Sequence, residues 1–170
     1  MSKKLLAIFI FFLSFTCYAT DSDIEKKFGD WNLSISQNKL TDEMNYFLTT
    51  EELNNENSPF DKKYYVFTCA KNKLTEFIFI ENLIIPNGQR GKLDFRIDKE
   101  KPFQREVISM YASLQNRHIT AQDIEQLKGR EKLFIHANMP NNFIDDMNFS
   151  LKGFDEAIRP LLVACNISAS

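Results

Sequence analysis

The chain lacks the residue patterns that catalytic and nucleotide-binding sites require. It has five glycines in 170 residues, and no glycine-rich loop of the kind that cradles a phosphate. Its two histidines, His118 and His136, have no acidic or cysteine residue at metal-ligand spacing. No serine stands in a Gly-x-Ser-x-Gly context. We therefore expect no catalytic residue, no metal site and no cofactor.

A basic surface is also missing. Lys and Arg number 21 and Asp and Glu number 23, so the formal net charge is −2 at pH 7. Nucleic-acid-binding domains are typically strongly basic, and attachment to a membrane by charge needs a cluster of Lys and Arg beside the bilayer. We therefore expect no nucleic-acid partner, and no stable membrane insertion once the N-terminal segment is removed.

The one long apolar run lies at the N terminus and has the three parts of a secretory signal. Lys3 and Lys4 give a positive start, and Leu5 to Leu13 is unbroken apolar sequence. Cys17-Tyr18-Ala19 then puts small residues at the last and third-last positions before a cut after Ala19. The run is roughly half as long as a bilayer-spanning helix, which makes an uncleaved anchor the weaker alternative. A periplasmic or secreted protein is predicted.

Cleavage at this point leaves a chain suited to one domain. It has 151 residues and a formal charge of −4, because Lys3 and Lys4 leave with the signal. That length is enough to bury a hydrophobic core. We divide the sequence into a signal peptide (1–19), a flexible leader (20–27), a single β-rich domain (28–166) and a short tail (167–170).

Two of the three cysteines, Cys69 and Cys165, remain after this cleavage. In an oxidising compartment two cysteines more often pair than stay free. The alternatives are two buried free thiols or a bridge between two chains. We predict a Cys69–Cys165 disulfide, and the sequence assigns no other site residue.

Apolar and polar residues alternate along much of the mature chain, which is the period of a half-buried β-strand. The alternating segments are Trp31 to Ser36, Met44 to Thr49, Tyr65 to Cys69, Lys92 to Asp98, Leu133 to Ala137 and Asp146 to Leu151. Leu74 to Glu81 is more continuously apolar, as in a central strand covered on both faces. Seven or eight short strands predict a mainly β fold, either an antiparallel β-sandwich or a strongly curved sheet.

Two short helices are predicted among the strands. Thr120 is a candidate N-cap with Asp123 at the third helical position, close to a capping box. The second helix begins after Gly153 and carries one apolar stripe at helical spacing, made of Phe154, Ile158, Leu161 and Cys165. The stripe turns Cys165 towards the core, so the predicted disulfide links the C-terminal helix to the sheet.

Four pieces of sequence carry a resemblance to a known family. They are Gly29-Asp-Trp31 with Ser36 and the turn at Leu40; Cys69 with Asn72-Lys-Leu-Thr-Glu76; Phe95-Arg-Ile-Asp98 with Lys101-Pro102 and Gln104; and Phe149-Ser-Leu-Lys-Gly153 running into Phe154-Asp-Glu-Ala-Ile-Arg-Pro-Leu-Leu-Val-Ala-Cys165. In these pieces, over roughly Phe28 to Cys165, the chain resembles the type VI secretion-associated VasI (TagO) family of exported bacterial proteins. It departs from the family at Val107-Ile108-Ser109, where a tryptophan is expected. The resemblance implies an envelope accessory protein with no catalytic residue to carry over.

The expected function is therefore that of an exported envelope accessory or binding protein whose partner is another envelope or secreted protein. Type VI secretion is the process that the resemblance implies. The charged segment Asp98 to Glu106 is a candidate binding surface or a solvated connection between strands. Two alternatives are a hydrolase of cell-wall or extracellular polymer, using paired acids or His136 with an acid, and a small-ligand carrier with a Phe-lined cavity.

Overall fold

The computed structural model describes residues 24–53, 62–116, 118–140 and 142–167. The predicted signal peptide and the last three residues of the predicted tail lie outside the described residues. The described strands are β1 (Ile24–Phe28), β2 (Trp31–Gln37), β3 (Met44–Glu51), β4 (Lys63–Ala70), β5 (Lys73–Ile80), β6 (Arg90–Ile97), β7 (Phe103–Met110), β8 (Ser113–Asn116), β9 (Lys132–Met139) and β10 (Phe143–Ser150). The described helices are α1 (Ala121–Leu127) and α2 (Phe154–Ala164).

The ten strands form one antiparallel sheet in the spatial order β1-β2-β3-β4-β5-β8-β7-β6-β9-β10. The sheet curls so far that β10 reaches the end of β3. There Glu52 bridges Phe149, and the N–H of Leu53 donates to the carbonyl of Asn148 at 2.8 Å. Strands that are far apart in the order of the sheet can meet only if the sheet bends back on itself. The predicted mainly β fold with a strongly curved antiparallel sheet and two helices is confirmed.

A lysine on β4 forms ion pairs at the contact between the end of β3 and β10. The ammonium of Lys63 bonds the carboxylate of Asp145 at 2.8 Å and lies 3.5 Å from that of Glu52. Burial alone lowers the pKa of Lys63, but the hydrogen bond and the charge of Asp145, together with Glu52, outweigh it. The pKa of Lys63 is therefore raised above 10.5.

Three strands form where the sequence analysis did not expect them. Residues 24–27, assigned to a flexible leader, belong to β1, which pairs with β2 through the two-residue turn at Gly29 and Asp30. The charged segment Asp98 to Glu106, expected to connect strands, runs into β7 from Phe103 onward. β8 is a third strand without a predicted counterpart. In β1 and β7 pairing with a neighbouring strand overrides a sequence rich in charges, because strand propensity depends strongly on context.

An aromatic cluster under α2 forms one end of the core. The ring of Trp31 lies 5.1 Å from that of Phe154 and 6.0 Å from those of Tyr65 and Phe67. All four side chains are fully buried, and such tilted contacts add to the free energy gained by burial. The cluster joins β2 and β4 to the C-terminal helix, which packs against the first four strands.

The disulfide lies beside this cluster. Cys69, near the end of β4, is bonded to Cys165, which directly follows α2, and the two Cα atoms are 5.8 Å apart. Both residues are buried. The predicted link between the C-terminal helix and the sheet is confirmed. It closes a loop in which the two cysteines are 96 positions apart.

Two glycines bring the first hairpin into direct contact with the segment that precedes α2. A Cβ on Gly29 would lie 2.5 Å from the carbonyl oxygen of Lys152, and a Cβ on Gly153 would lie 2.2 Å from that of Phe28. The N–H of Asp30 donates to the same Lys152 carbonyl at 3.1 Å. Gly153 also has a φ of +86°, a conformation that other residues adopt at a cost. Close backbone approach therefore requires glycine at both positions.

Removing the disulfide should lower the stability of the folded chain. With Cys69 and Cys165 both changed to Ala, we expect the free energy of unfolding to fall by about 4–5 kcal/mol, because a long loop is no longer closed in the unfolded chain. Denaturant unfolding of the purified protein measures the change. A reductant should lower the wild-type value to that of the variant and leave the variant unaffected; equal stabilities without reductant would contradict the prediction.

Alanine at Gly153 should cost more than alanine at Gly88, although both glycines have a φ of +86°. Nothing lies within 4 Å of a Cβ at Gly88, so Gly88→Ala bears only the backbone cost, about 1 kcal/mol. Gly153→Ala must also displace the carbonyl of Phe28, which we expect to cost a further ~1–3 kcal/mol. Thermal unfolding of the two variants side by side tests the difference, and equal losses would show that the close approach is unimportant.

Candidate functional site

A cluster of charged and polar side chains is buried inside the curved sheet. Glu76 of β5 is 1% exposed and accepts hydrogen bonds from the hydroxyl of Tyr65, the guanidinium of Arg105 and, at 2.8 Å, the amide of Asn116. The three donors belong to β4, β7 and β8. A buried carboxylate is stable only when it is paired and hydrogen-bonded. The cluster therefore links the four strands β4, β5, β8 and β7 through side chains.

Arg105 is also held by aromatic rings and by α1. Its guanidinium carbon lies 4.8 Å from the centre of the Phe95 ring and 5.2 Å from that of Phe103, within the range of cation–π attraction. Its Nη2 lies 3.4 Å from a carboxylate oxygen of Asp123. Asp123 completes the predicted capping box with Thr120, which is confirmed. The buried arginine thus fixes the position of α1 relative to the sheet.

Burial and charge set the protonation of this cluster. Burial first, and then the negative charge of Glu76, raise the pKa of Tyr65 well above 10.0, so its hydroxyl stays a donor. For Arg105 burial alone lowers the pKa, but the negative charges of Glu76 and Asp123 and the hydrogen bond to Glu76 favour the charged guanidinium, and the pKa is raised. The arginine stays positive and the tyrosine stays neutral over the physiological range. The ion pair and the hydrogen bond from Tyr65 to Glu76 therefore persist over this range.

The side of the sheet turned away from the core carries aromatic side chains directly above this cluster. We call Phe47, Tyr64, Val66, Phe77 and Phe79 the outer aromatic face. Phe47 is 41% exposed and Val66 is buried, while Tyr64, Phe77 and Phe79 are half-buried. The solvent side of an antiparallel sheet is ordinarily polar. An apolar patch at its centre is therefore a candidate binding surface.

Strand register places these residues side by side. Tyr64 lies opposite Phe79 with ring centres 6.2 Å apart, and Val66 lies opposite Phe77. Thr68 of β4 lies opposite Phe47 of β3. Because successive residues of a strand point to opposite faces, each outward residue here is next to a buried residue of the core. The strand register that places the buried residues therefore also sets the positions of the outward side chains.

Two grooves lie on the outward side of the sheet. The first, the β6–β8 groove, has a volume of about 440 Å³ and is lined by Arg90, Gly91, Lys92, Glu106, Val107, Ile108, Gln115 and His118. The second has a volume of about 420 Å³ and is lined by residues of β1, β2 and β3. Neither groove has a phenylalanine in its lining. Neither is therefore the Phe-lined cavity that a small-ligand carrier was expected to have.

The structure brings His136 and an acid together, whereas the hydrolase alternative also requires them to lie in one concave pocket. The Nδ1 of His136 lies 2.6 Å from a carboxylate oxygen of Asp146 on the neighbouring strand. The pair lies on the outward side of β9 and β10, where the imidazole is 35% and the carboxylate 63% exposed, and neither residue lines the two grooves. His118, in contrast, lines the β6–β8 groove. Hydrolysis through His136 stays an untested alternative.

The charged segment Asp98 to Glu106, a candidate binding surface from sequence, is mostly exposed and is held to the rest of the protein at three positions. Asp98 accepts hydrogen bonds from the backbone N–H groups of Glu131 and Lys132, at 3.3 and 2.9 Å. Glu100 forms an ion pair with Arg130. Arg105 is the buried arginine described above. These contacts tie three residues of the segment to the rest of the chain. Seven of its nine residues are nevertheless exposed, so the segment stays a candidate binding surface beside the outer aromatic face.

Sequence reasoning missed both the buried cluster and the outer aromatic face. Glu76 and Arg105 are 29 positions apart and belong to strands joined through β8, so no local spacing relates them. The one signal of the outer face was the continuous apolar run of Leu74 to Glu81. This run predicts a strand covered on both faces, whereas Phe77 and Phe79 are only partly covered by the residues that the structure describes.

Within the described ranges, no cluster of three or more His, Cys, Asp or Glu side chains has a geometry suited to a metal ion. Neither helix of the described chain has the length and apolar character to cross a bilayer.

Comparison with known proteins finds a related fold. No protein-family model and no curated protein matches the sequence. The structure is similar to the crystal structure of invasion associated protein B from Bartonella henselae, with a TM-score of 0.54 at 13% sequence identity. The match covers 82% of this chain and 96% of that chain. At this identity the two proteins share a fold, and a fold alone does not determine a function.

Stability should fall when the pH rises above about 10, because Tyr65 and Lys63 both have raised pKa values in the folded chain. The unfolded chain then releases protons that the folded chain still holds, so stability is full below this pH and is lost above it. Tyr65→Phe should cost about 1 kcal/mol at neutral pH, since Glu76 loses a donor, and should make the alkaline decline shallower. Denaturant unfolding between about pH 8 and pH 11 measures both effects.

Tyr111→Phe is the matched control, because Tyr111 is 79% exposed. It should leave both the neutral stability and the alkaline decline as in the wild type. Parallel pH curves for the wild type and Tyr65→Phe would show that Tyr65 does not contribute to the decline.

Proposed function

We propose that this protein is an exported accessory protein of the cell envelope that binds another protein through its outer aromatic face and has no catalytic activity of its own. The observation that carries the proposal is the group of apolar side chains, Phe47 the most exposed, on the side of the sheet turned away from the core. Binding by a partner would remove this apolar surface from water.

The energetics of such a surface favour protein binding. Burying one phenylalanine side chain contributes about 1.5–3 kcal/mol, and aromatic residues at the centre of an interface often carry most of its binding free energy. The face is also preorganised, because the Glu76–Arg105 pair holds the strands beneath it. A rigid surface loses little conformational entropy on binding, so more of the contact free energy appears as affinity.

The proposed compartment follows from the disulfide and from the predicted signal peptide. The Cys69–Cys165 bond is of the kind that persists in oxidising environments such as the periplasm. Membership in the VasI (TagO) family, and with it a role in type VI secretion, is part of the proposal and depends on the sequence resemblance alone.

A photo-reactive phenylalanine analogue at Phe47 should capture the partner. We expect a discrete crosslinked product with one envelope protein, and we expect Phe77→Asp in the same chain to reduce its yield at least ten-fold, since a tenfold change in affinity needs only about 1.4 kcal/mol. The measurement is the yield of the crosslinked band after irradiation of whole cells, followed by identification of the attached protein.

Val163 supplies the matched control position. It is 78% exposed on α2 and therefore more accessible than Phe47, which is 41% exposed. The analogue at Val163, with or without Phe77→Asp, should give no such product. Identical products from both positions, or a product from Phe47 that Phe77→Asp does not affect, would contradict a role for the outer aromatic face.

A further inference from the structure

The β6–β8 groove continues the outer aromatic face in one row across the sheet. Phe77 of β5 lies opposite Gln115 of β8, Gln115 lies opposite Ile108 of β7, and Ile108 lies opposite Arg90 of β6. All four side chains point outward, because the residues next to them belong to the core face. A ligand that covers Phe77 and follows this row therefore enters the groove.

The floor of the groove is apolar and its rim is positively charged. Ile108 supplies an apolar floor, and Gly91 and Val107 line the groove beside it. The rim carries the cations of Arg90 and Lys92 and the imidazole of His118. One apolar surface under two cations suits a side chain that ends in an anionic group.

The two cations are available to a ligand. Neither Arg90 nor Lys92 forms an ion pair with any residue that the structure describes, and both are exposed. Glu106 lies opposite Lys92 across the strands, so the groove keeps an excess of one positive charge, in a chain whose formal net charge is −2. Arginine can bind a carboxylate through two parallel hydrogen bonds. The charge of the groove is therefore complementary to an acidic side chain.

Resting on the function proposed above, we propose that the β6–β8 groove binds a carboxylate side chain of the same partner segment that covers the outer aromatic face. The spacing follows from the sheet. Three strand intervals of about 4.8 Å separate Phe77 from Arg90, roughly 14 Å, and an extended peptide spans this distance in about four residues. The partner segment thus has an apolar residue and, about four positions away, an aspartate or a glutamate.

A peptide ligand fits these observations better than a nucleic acid does. Nucleic-acid binding depends on several phosphate contacts made by many cations, whereas this groove has two cations and an opposing glutamate. On the side of β8 the groove adjoins the apolar side chains of the outer aromatic face. A peptide that carries a carboxylate can cover these side chains while its carboxylate binds in the groove. The acidic group supplies specificity and the apolar residue supplies most of the affinity.

The test compares two synthetic peptides of about ten residues. In the first, Phe and Glu lie four positions apart in a Gly/Ser background; the second is identical except that Lys replaces Glu. Binding is followed by chemical-shift changes of the isotope-labelled protein at peptide concentrations up to about 1 mM, which detects weak complexes. We expect the Glu peptide to bind at least ten-fold more tightly than the Lys peptide, with shifts at Gly91 and Ile108. Moving Glu next to Phe should abolish the difference.

Charge reversal in the groove provides the decisive comparison. In the double variant Arg90→Glu, Lys92→Glu the preference should invert, so that the Lys peptide binds more tightly. Lys71→Glu, an exposed lysine in the turn between β4 and β5, is the control and should keep the wild-type preference. Equal affinities for both peptides, or a preference that the double variant retains, would overturn the proposal.

Two further outcomes separate the groove from the outer aromatic face. If crosslinking at Phe47 captures a partner but neither peptide binds, the carboxylate proposal is wrong and the function proposed above stands. If inorganic phosphate or a single-stranded oligonucleotide causes the same shifts at the groove and displaces the Glu peptide, the groove is a general anion site, and the peptide proposal is overturned.

Discussion

The ion pair between Glu76 and Arg105 lies inside the curved sheet, where an isolated charge is most costly. Taking a carboxylate out of water costs several kcal/mol, and here that cost is offset by Arg105, Tyr65 and Asn116 together. A shift of one residue in the pairing of β4, β5, β7 or β8 would turn one of these groups to the opposite face and leave the carboxylate without its partners. The pair therefore fixes the register of the four strands. Since residues alternate between the two faces, that register also decides that Phe77 points outward.

A second constraint joins the two ends of the described chain. The hydroxyl of Ser150 donates to the carboxylate of Asp30 at 2.5 Å, Gly29 passes close to the backbone before α2, and Trp31 packs against Phe154. The disulfide fastens the other end of the same helix. The first and last of the four pieces that resemble the VasI (TagO) family are thus in contact, and the second supplies Cys69. These contacts give a physical reason for the three pieces to occur in the same chain. Membership in the family stays a proposal.

Much of the sheet could be predicted from the sequence, because a strand with one side in the core has a regular alternation. Trp31, Phe67 and Leu133 all lie in segments predicted in this way, and all are buried. The capping box of α1 and the disulfide were also predicted. Each depends on residue types that have few other structural roles in such a position: Thr and Asp at N-cap spacing, and two cysteines in a chain with a predicted signal peptide. β1 and β7 were not, because their charged residues form strands only through pairing with a neighbour. The candidate site was not predicted either, since the position of Phe77 over a buried ion pair depends on contacts between distant parts of the chain.

The edges of the sheet help to decide how a partner can bind. An unpaired edge strand invites another strand to add to it, and proteins prevent this with charges or by covering the edge. Among the described residues β1 pairs with β2 alone and exposes Glu25, Lys26 and Lys27, and the end of β10 is covered by Glu52 and Leu53. Charge thus opposes strand addition at the edges, while the centre of the outward side is apolar. This distribution supports the proposed binding across the face, where Phe77 and Arg90 belong to one continuous row.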